Sequence, residues 1–299
     1  MKLHGVLPVI QMPYDERGDL DVETLRKLVD WLFAHEVDGV AIGLASEIMR
    51  QSDAERDRFT AEVVRAARGR GPVVAHAGAE SARLAVRHAK AAQDAGAAGL
   101  MVTPPCLTAC DEAGIEAYYE ALAEATAIPI VVQDASGYQG QPIPIELQAR
   151  LFKRFPERMM FKPEALPLGP KLSALRDATG GGAPIFEGLG GLGLVDAHHR
   201  GIVGTMPGSV APWALVKLWR ALNAGNLEEA RRLHRPLVSI IALYPNLDAF
   251  LAVDKRQLVR QGLFKNDLVR GPVGYCMDAE TAAEFDALFD ELKRICDAR

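Results

Sequence analysis

Eight short runs rich in aliphatic residues recur up to residue 206, and stretches of helical periodicity separate them. The runs cover residues 5–12 (GVLPVIQM), 37–44 (VDGVAIGL), 72–77 (PVVAHA) and 97–103 (AAGLMVT). They continue at 128–134 (IPIVVQD), 158–164 (RMMFKPE), 183–188 (APIFEG) and 201–206 (GIVGTM). Most are continuously apolar rather than alternating, which marks strands of a parallel sheet covered on both faces. Between them, DVETLRKLVDWLFAHE sets Val22, Leu25, Leu28, Val29 and Leu32 on one helical face, with Asp19 or Asp21 as its cap. SARLAVRHAKAAQDAG opens on Ser81 and stops at Gly96, a capping residue at each end. Eight βα units of about 28 residues each predict an α/β fold, a closed (β/α)8 TIM barrel. A doubly wound open sheet would carry a glycine-rich phosphate turn after its first strand. That turn here is PYDERGDLD, with no G-x-G-x-x-G. The chain after residue 222 reads as helices only: NLEEARRLHRPLVSIIALY, DAFLAVDKRQLVRQG and AETAAEFDALFDELKRIC. The predicted organisation is a barrel over residues 1–222 and a three-helix extension over 223–299.

Composition narrows the function classes. A net charge of −5 supplies no basic face for nucleic acid and no polybasic patch for a membrane surface. No apolar run reaches the ~20 residues that a spanning helix needs. The N-terminal MKLHGVLPVIQMP lacks the long apolar stretch and cleavage site of a signal peptide, so the expected location is the cytoplasm. Cys106, Cys110, Cys276 and Cys296 form no C-x-x-C pair and are expected as free thiols rather than zinc ligands.

Barrel enzymes place their chemistry at the C-terminal ends of the strands. Those ends hold Leu44–Glu47, His76, Thr103, Gln133–Asp134, Lys162 with Glu164, Glu187–Gly188 and Met206. Lys162 follows Met159, Met160 and Phe161 in a strand that should be buried on both faces. Desolvation there lowers an amine's pKa and frees the neutral form that Schiff-base chemistry needs. The plainer role is an ion pair with a carboxylate such as Glu164. Glu164, two residues on, faces the same side of the strand and is either an acid/base or that outer ion pair. Asp134 alternates to the face opposite Gln133, which suits a structural role. Glu47 suits a helix N-terminal anchor better than a catalyst. His76 reads as a neutral core histidine, and His198–His199 as helix surface. Asp196 and His199, three apart, suit an ion pair better than a metal site. The strands supply no cluster of two His and a carboxylate, so no metal is expected.

Several motifs, in this order, resemble the dihydrodipicolinate synthase / N-acetylneuraminate lyase family of class I aldolases. They are the opening GVLPVIQMPYDERGDLD, the second-strand loop GLASEIMRQSDAER, MVTPP, the lysine strand MMFKPE, RGIVGTMPG, and Lys255 followed by Leu258 and Gly262. The resemblance implies a TIM barrel with a three-helix tail, commonly a homotetramer or homodimer. It also implies an imine between Lys162 and the carbonyl carbon of a 2-oxo acid, with no cofactor. Lys255 lies in the helical tail and is expected as a surface ion pair.

The departures from the family pattern are equally informative. The family's G-T-T-G-E loop reads Gly43-Leu44-Ala45-Ser46-Glu47. Its fifth-strand Tyr is Gln133, its V-T-P-Y-Y is VTPPC, and an Arg used for a substrate carboxylate in the synthases falls at Tyr138. The Thr–Tyr–Tyr proton relay of the synthases is therefore missing. Gln133 hydrogen-bonds but does not titrate near neutral pH. The L-A-S-E loop with a Q-D fifth strand is similar to the branch that dehydrates 2-keto-3-deoxy sugar acids. On that reading Lys162, Gln133 and Glu164 are catalytic, and Ala45, Ser46, Glu47, Gly188, Met206 and Tyr138 bind substrate. Ser46 and the backbone N–H groups of its loop would take the C1 carboxylate. The alternatives are a non-catalytic 2-oxo-acid-binding family member, a pyruvate-dependent aldolase or synthase such as dihydrodipicolinate synthase, and a barrel with a structural Lys162.

Overall fold

Each of the eight runs contains a strand, all parallel. The computed structural model describes residues 3–244 and 246–298. The strands are β1 (Gly5–Val6), β2 (Val40–Ala41), β3 (Val73–His76), β4 (Gly99–Val102), β5 (Ile130–Asp134), β6 (Met159–Pro163), β7 (Phe186–Glu187) and β8 (Gly204–Thr205). They hydrogen-bond in the orders β2-β3-β4-β5-β6 and β1-β8-β7. Parallel bridges Val9↔Ala41 and Phe161↔Ile185 join the two sets and close the barrel. Several strands are shorter than their apolar runs because Pro8, Pro184 and Pro207 have no N–H to donate. Their carbonyls still accept, from Ala41, Phe161 and Val9 at 2.9, 3.0 and 2.7 Å.

The continuous apolar runs divide into two buried faces. Leu7, Val9, Ala41, Val74, Met101, Val131, Met160 and Met206 meet inside the barrel. Their neighbours Val6, Val40, Val73, Leu100, Ile130 and Met159 belong to the larger core beneath the helices. The alternation therefore persists, with both phases apolar.

Helices α1 (Val22–Ala34), α2 (Asp53–Ala67), α3 (Ala82–Asp94), α4 (Glu112–Ala125), α5 (Ile145–Arg154), α6 (Leu168–Ala178), α7 (Leu194–His199) and α8 (Pro212–Asn223) follow the eight strands in turn. Asp21, not Asp19, caps α1, its carboxylate accepting from the Thr24 N–H at 3.0 Å. Leu25, Leu28 and Leu32 of α1 are fully buried. Each such side chain contributes about 1.5–3 kcal/mol through removal from water. Ser52 and Glu55 form a reciprocal capping box on α2. Ser81 caps α3, and Gly96 closes it with a φ of +95° that favours glycine.

The last three helices are α9 (Leu227–Ile241), α10 (Leu247–Arg260) and α11 (Ala279–Asp297). Two buried links tie α10 to the barrel. The Asp254 carboxylate accepts from Gln11 Nε2 at 2.7 Å and from the Tyr244 hydroxyl at 3.2 Å. Burial raises the Asp254 pKa to about 8, against the opposing effect of those two hydrogen bonds. The second link corrects the expectation that Lys255 is a surface residue. Lys255 is fully buried, with its ammonium donating to Glu47 and, at 2.6 Å, to the Leu268 carbonyl. It also lies 4.4 Å from the centre of the Tyr14 ring. The physical reason is that α10 packs on the 3-10 turn Leu44–Ser46 after β2, which buries a position that helical periodicity alone leaves at the surface. No described helix is long and apolar enough to cross a membrane.

Candidate active site

At the C-terminal mouth of the barrel lies a cavity of about 600 Å³, walled by strand ends, the loop after β5, the start of α6 and the α9–α10 connection. The interior phase of β6 passes from Met160 to Lys162, so the lysine enters this space from the barrel side. Lys162 is 3% exposed, and its Nζ lies 2.6 Å from Glu164 Oε1 and 3.9 Å from Met101 Sδ. The other oxygen of Glu164 accepts from Gln133 Nε2 at 2.7 Å and from the Tyr138 hydroxyl at 2.5 Å. Glu164 is thus the hub of a four-residue cluster.

Tyr138 is partly exposed but turns its hydroxyl onto Glu164. Burial of that hydroxyl, and then the Glu164 charge, raises its pKa well above the ordinary phenol range. Tyr138 therefore stays a donor at neutral pH. Two polar atoms on the cavity wall are buried without a partner among the described residues, Gln133 Oε1 and Ser136 Oγ. Such atoms are costly unless a bound molecule or water satisfies them. Across the barrel, the N–H groups of Leu44 and Ala45 open the 3-10 turn and meet no acceptor among the described residues. Two successive free N–H groups in a turn suit an anion.

A sequence profile of the Dihydrodipicolinate synthetase family matches residues 2–291. The chain belongs to that family. The 4-hydroxy-tetrahydrodipicolinate synthase of Thermomicrobium roseum is 31% identical over 79% of this chain and 78% of its own. That of Corynebacterium aurimucosum is 27% identical over 94% and 91%. Among solved structures, the 4-hydroxy-tetrahydrodipicolinate synthase of Methylacidiphilum fumariolicum SolV superposes with a TM-score of 0.90 at 21% identity, covering 98% of this chain and 97% of that one. The chloride-inhibited dihydrodipicolinate synthase of Acinetobacter baumannii, complexed with pyruvate, gives 0.88 at 23% identity, covering 98% and 99%. Likeness at that identity speaks to the fold, a TIM barrel with C-terminal helices.

Within this member of the dihydrodipicolinate synthetase family, Ala45, Gln133, Tyr138, Lys162, Glu164, Gly188 and Met206 line one cavity. Two other residues in the sequence-derived binding set lie outside it. Ser46 is fully buried, its hydroxyl donating to the Ile10 carbonyl at 2.5 Å and accepting from the Gly43 N–H. It holds the β2 turn from behind, and its hydroxyl is already engaged on both sides. Glu47 is spent on Lys255 and on the Arg270 N–H at 2.7 Å. Its backbone is left-handed, with a φ of +54°, and its carboxylate faces Lys255 and Arg270 rather than the cavity. His76 is buried against Arg56, and its pKa is held well below 6.5, first by burial and then by the Arg56 charge. Asp134 receives the Ser136 N–H at 3.1 Å and braces the β5 loop. Asp196 pairs with Arg200 rather than His199. Among the described residues, no group of three or more His, Cys, Asp or Glu could hold a metal ion, and the four cysteines are free.

Sequence reasoning missed Ser136 and Lys171, both on the cavity wall. Ser136 had a signal, since it lies two residues past the Gln133–Asp134 pair at the strand end. Lys171 had none, because a lysine in an amphipathic helix normally reads as solvated surface.

Gly188 has a steric role. A Cβ there would lie 2.6 Å from Glu164 Cγ and 2.8 Å from Lys162 Cε. Gly188→Ala is expected to displace both side chains. Misplacement by about 1 Å costs roughly 10²-fold. The check is the rate of adduct formation with pyruvate and borohydride beside the unfolding temperature; a normal adduct rate would refute the steric role.

Proposed function

We propose that the protein is a Schiff-base lyase that dehydrates or cleaves a 2-keto-3-deoxy sugar acid. The observation that carries this reading is the Lys162–Glu164–Gln133–Tyr138 cluster, which joins a buried amine to a carboxylate while lacking the synthases' phenol relay.

Glu164 Oε1, 2.6 Å away, takes one proton from the Lys162 ammonium, the freed Nζ attacks the C2 carbonyl of the 2-oxo acid, and a second N–H proton passes to the former carbonyl oxygen to give a carbinolamine. The carbinolamine loses water as Glu164 returns that proton, leaving an iminium. The iminium withdraws electrons from C3. In dehydration, Glu164 removes a C3 proton and delivers it to the C4 hydroxyl, which leaves as water. In retro-aldol cleavage, a base removes the proton of the C4 hydroxyl and the C3–C4 bond breaks to give an enamine. Gln133 Oε1, buried and unpaired, accepts a hydrogen bond from a substrate hydroxyl. Tyr138 keeps its proton and fixes the orientation of Glu164. The Leu44 and Ala45 N–H groups receive the C1 carboxylate. The reading involves no cofactor, because the iminium itself is the electron sink. Family resemblance adds the expectation of a homodimer or homotetramer, and exposed Leu107 and Leu166 offer apolar surface for such contacts.

The relatives' name supplies the competing reading, condensation of pyruvate with aspartate semialdehyde. Gln133 stands against it, because an amide transfers no proton near neutral pH, and neither Pro105 nor Cys106 lines the cavity. The test is turnover. Conversion of 2-keto-3-deoxy-pentonates or -hexonates is expected, with none of pyruvate plus aspartate semialdehyde. Robust synthesis from the latter pair would overturn the proposal.

A further inference from the structure

We infer that Lys171 forms a second anion subsite, and that the substrate carries a carboxylate or phosphate at the end remote from its 2-oxo acid. This deepens the Schiff-base reading and rests on it. Lys171 lies in the first turns of α6, is half-buried, and lines the same cavity as Lys162. It makes no ion pair and no side-chain hydrogen bond among the described residues.

The acids that could have neutralised it are committed elsewhere. Glu164 is shared by Lys162, Gln133 and Tyr138. Asp196, which approaches the start of α6 at Gly169, is gripped by Arg200 through two bonds of 2.9 Å. Asp177, later on α6, pairs with Arg176 at 2.8 Å. A lysine that borders a reaction cavity with no counter-ion favours an anionic ligand, and partial desolvation strengthens the attraction.

The position of Lys171 argues for the far end of the substrate rather than for C1. The unpartnered N–H groups of Leu44 and Ala45 follow β2, whereas Lys171 follows β6. Those strands stand four places apart in an eight-stranded ring. A molecule anchored by its C1 carboxylate at β2 and by C2 on Lys162 must extend away from the β2 turn. Gln133 Oε1 and Ser136 Oγ lie on the β5 side of that path and suit intervening hydroxyls. The ligand class is thus a 2-keto-3-deoxy aldarate or a phosphorylated 2-keto-3-deoxy aldonate, rather than a simple aldonate with a neutral terminus.

The test uses borohydride trapping read by mass spectrometry on the full-length protein. Wild type is titrated with pyruvate, 2-oxohexanoate and 2-oxoadipate, the last two matched in length. Half-maximal adduct with 2-oxoadipate is expected at about tenfold lower concentration than with 2-oxohexanoate, with the gap narrowing as salt is raised. Lys171→Met should bring the ratio close to one, and Lys171→Arg should retain it. A second arm compares turnover of 2-keto-3-deoxygluconate, its 6-phosphate and the corresponding aldarate, and so separates carboxylate from phosphate. Pyruvate adduct with no preference for 2-oxoadipate, or a preference that survives Lys171→Met, overturns the subsite and leaves the Schiff-base reading standing. Absence of a pyruvate adduct overturns both.

Discussion

Lys162→Ala should abolish the borohydride-trapped adduct with pyruvate and reduce turnover of any 2-oxo acid below detection. No other amine substitutes for it: Lys171 lacks the carboxylate partner at 2.6 Å, and Lys255 is sealed against Glu47 outside the cavity. The variant should still fold, because Glu164 keeps its hydrogen bonds from Gln133 and Tyr138. Glu164→Gln separates the two roles. It retains the amine, so a slow adduct should form, while turnover falls by about 10²–10⁴-fold, the usual loss for a general acid–base group. An adduct persisting in Lys162→Ala, or a Glu164→Gln enzyme near wild-type rate, would each refute the assignment.

The largest effect on stability is expected at Lys255→Met. Glu47 would stay buried with its Arg270 N–H bond and a 3.7 Å approach to Arg50, but without the ammonium that neutralises it. Stranding one partner of a buried pair costs about 3–5 kcal/mol. Denaturant unfolding of the variant measures it. The double variant Lys255→Met/Glu47→Gln should recover a substantial part, since no unpaired charge remains. Added salt should do little for the single variant, because the site is shielded from solvent. A loss under about 1 kcal/mol would show the pair to be dispensable. The same pair links α10 to the turn that presents the Leu44 and Ala45 N–H groups, so a fall in affinity for the 2-oxo acid should accompany the loss of stability.

The barrel was legible because its signals are local and redundant. Eight apolar runs recur with helical stretches between them, and their interior and exterior phases are both apolar, as a covered parallel sheet demands. Lys162 was legible for the same reason, being a charge that breaks an otherwise apolar strand. Glu164 followed from it by the two-residue period. Tyr138 was seen only as a replaced family position, since no local rule says that a loop phenol five residues past Gln133 will fold back onto Glu164.

Ser46, Glu47, Lys171 and Lys255 mark where sequence reasoning stopped. Ser46 and Glu47 occupy a loop that does border the site, yet their side chains engage Ile10, Lys255 and Arg270 rather than the cavity. Lys171 and Lys255 both sit on helices with ordinary surface spacing. One borders the cavity and the other is fully buried, a difference made by which element packs on each helix.

The sequence by itself thus determined the eight strand runs, the helical stretches between them and the amine of Lys162 that breaks an apolar strand, because each depends on periods of two or 3.6 residues. Only the tertiary structure decided that Glu164 would hold Lys162, Gln133 and Tyr138 together, that Lys255 would close on Glu47, and that Lys171 would border the cavity without a counter-ion. Those outcomes depend on contacts between residues far apart in the chain, up to 208 positions for Lys255 and Glu47, and no local pattern encodes them.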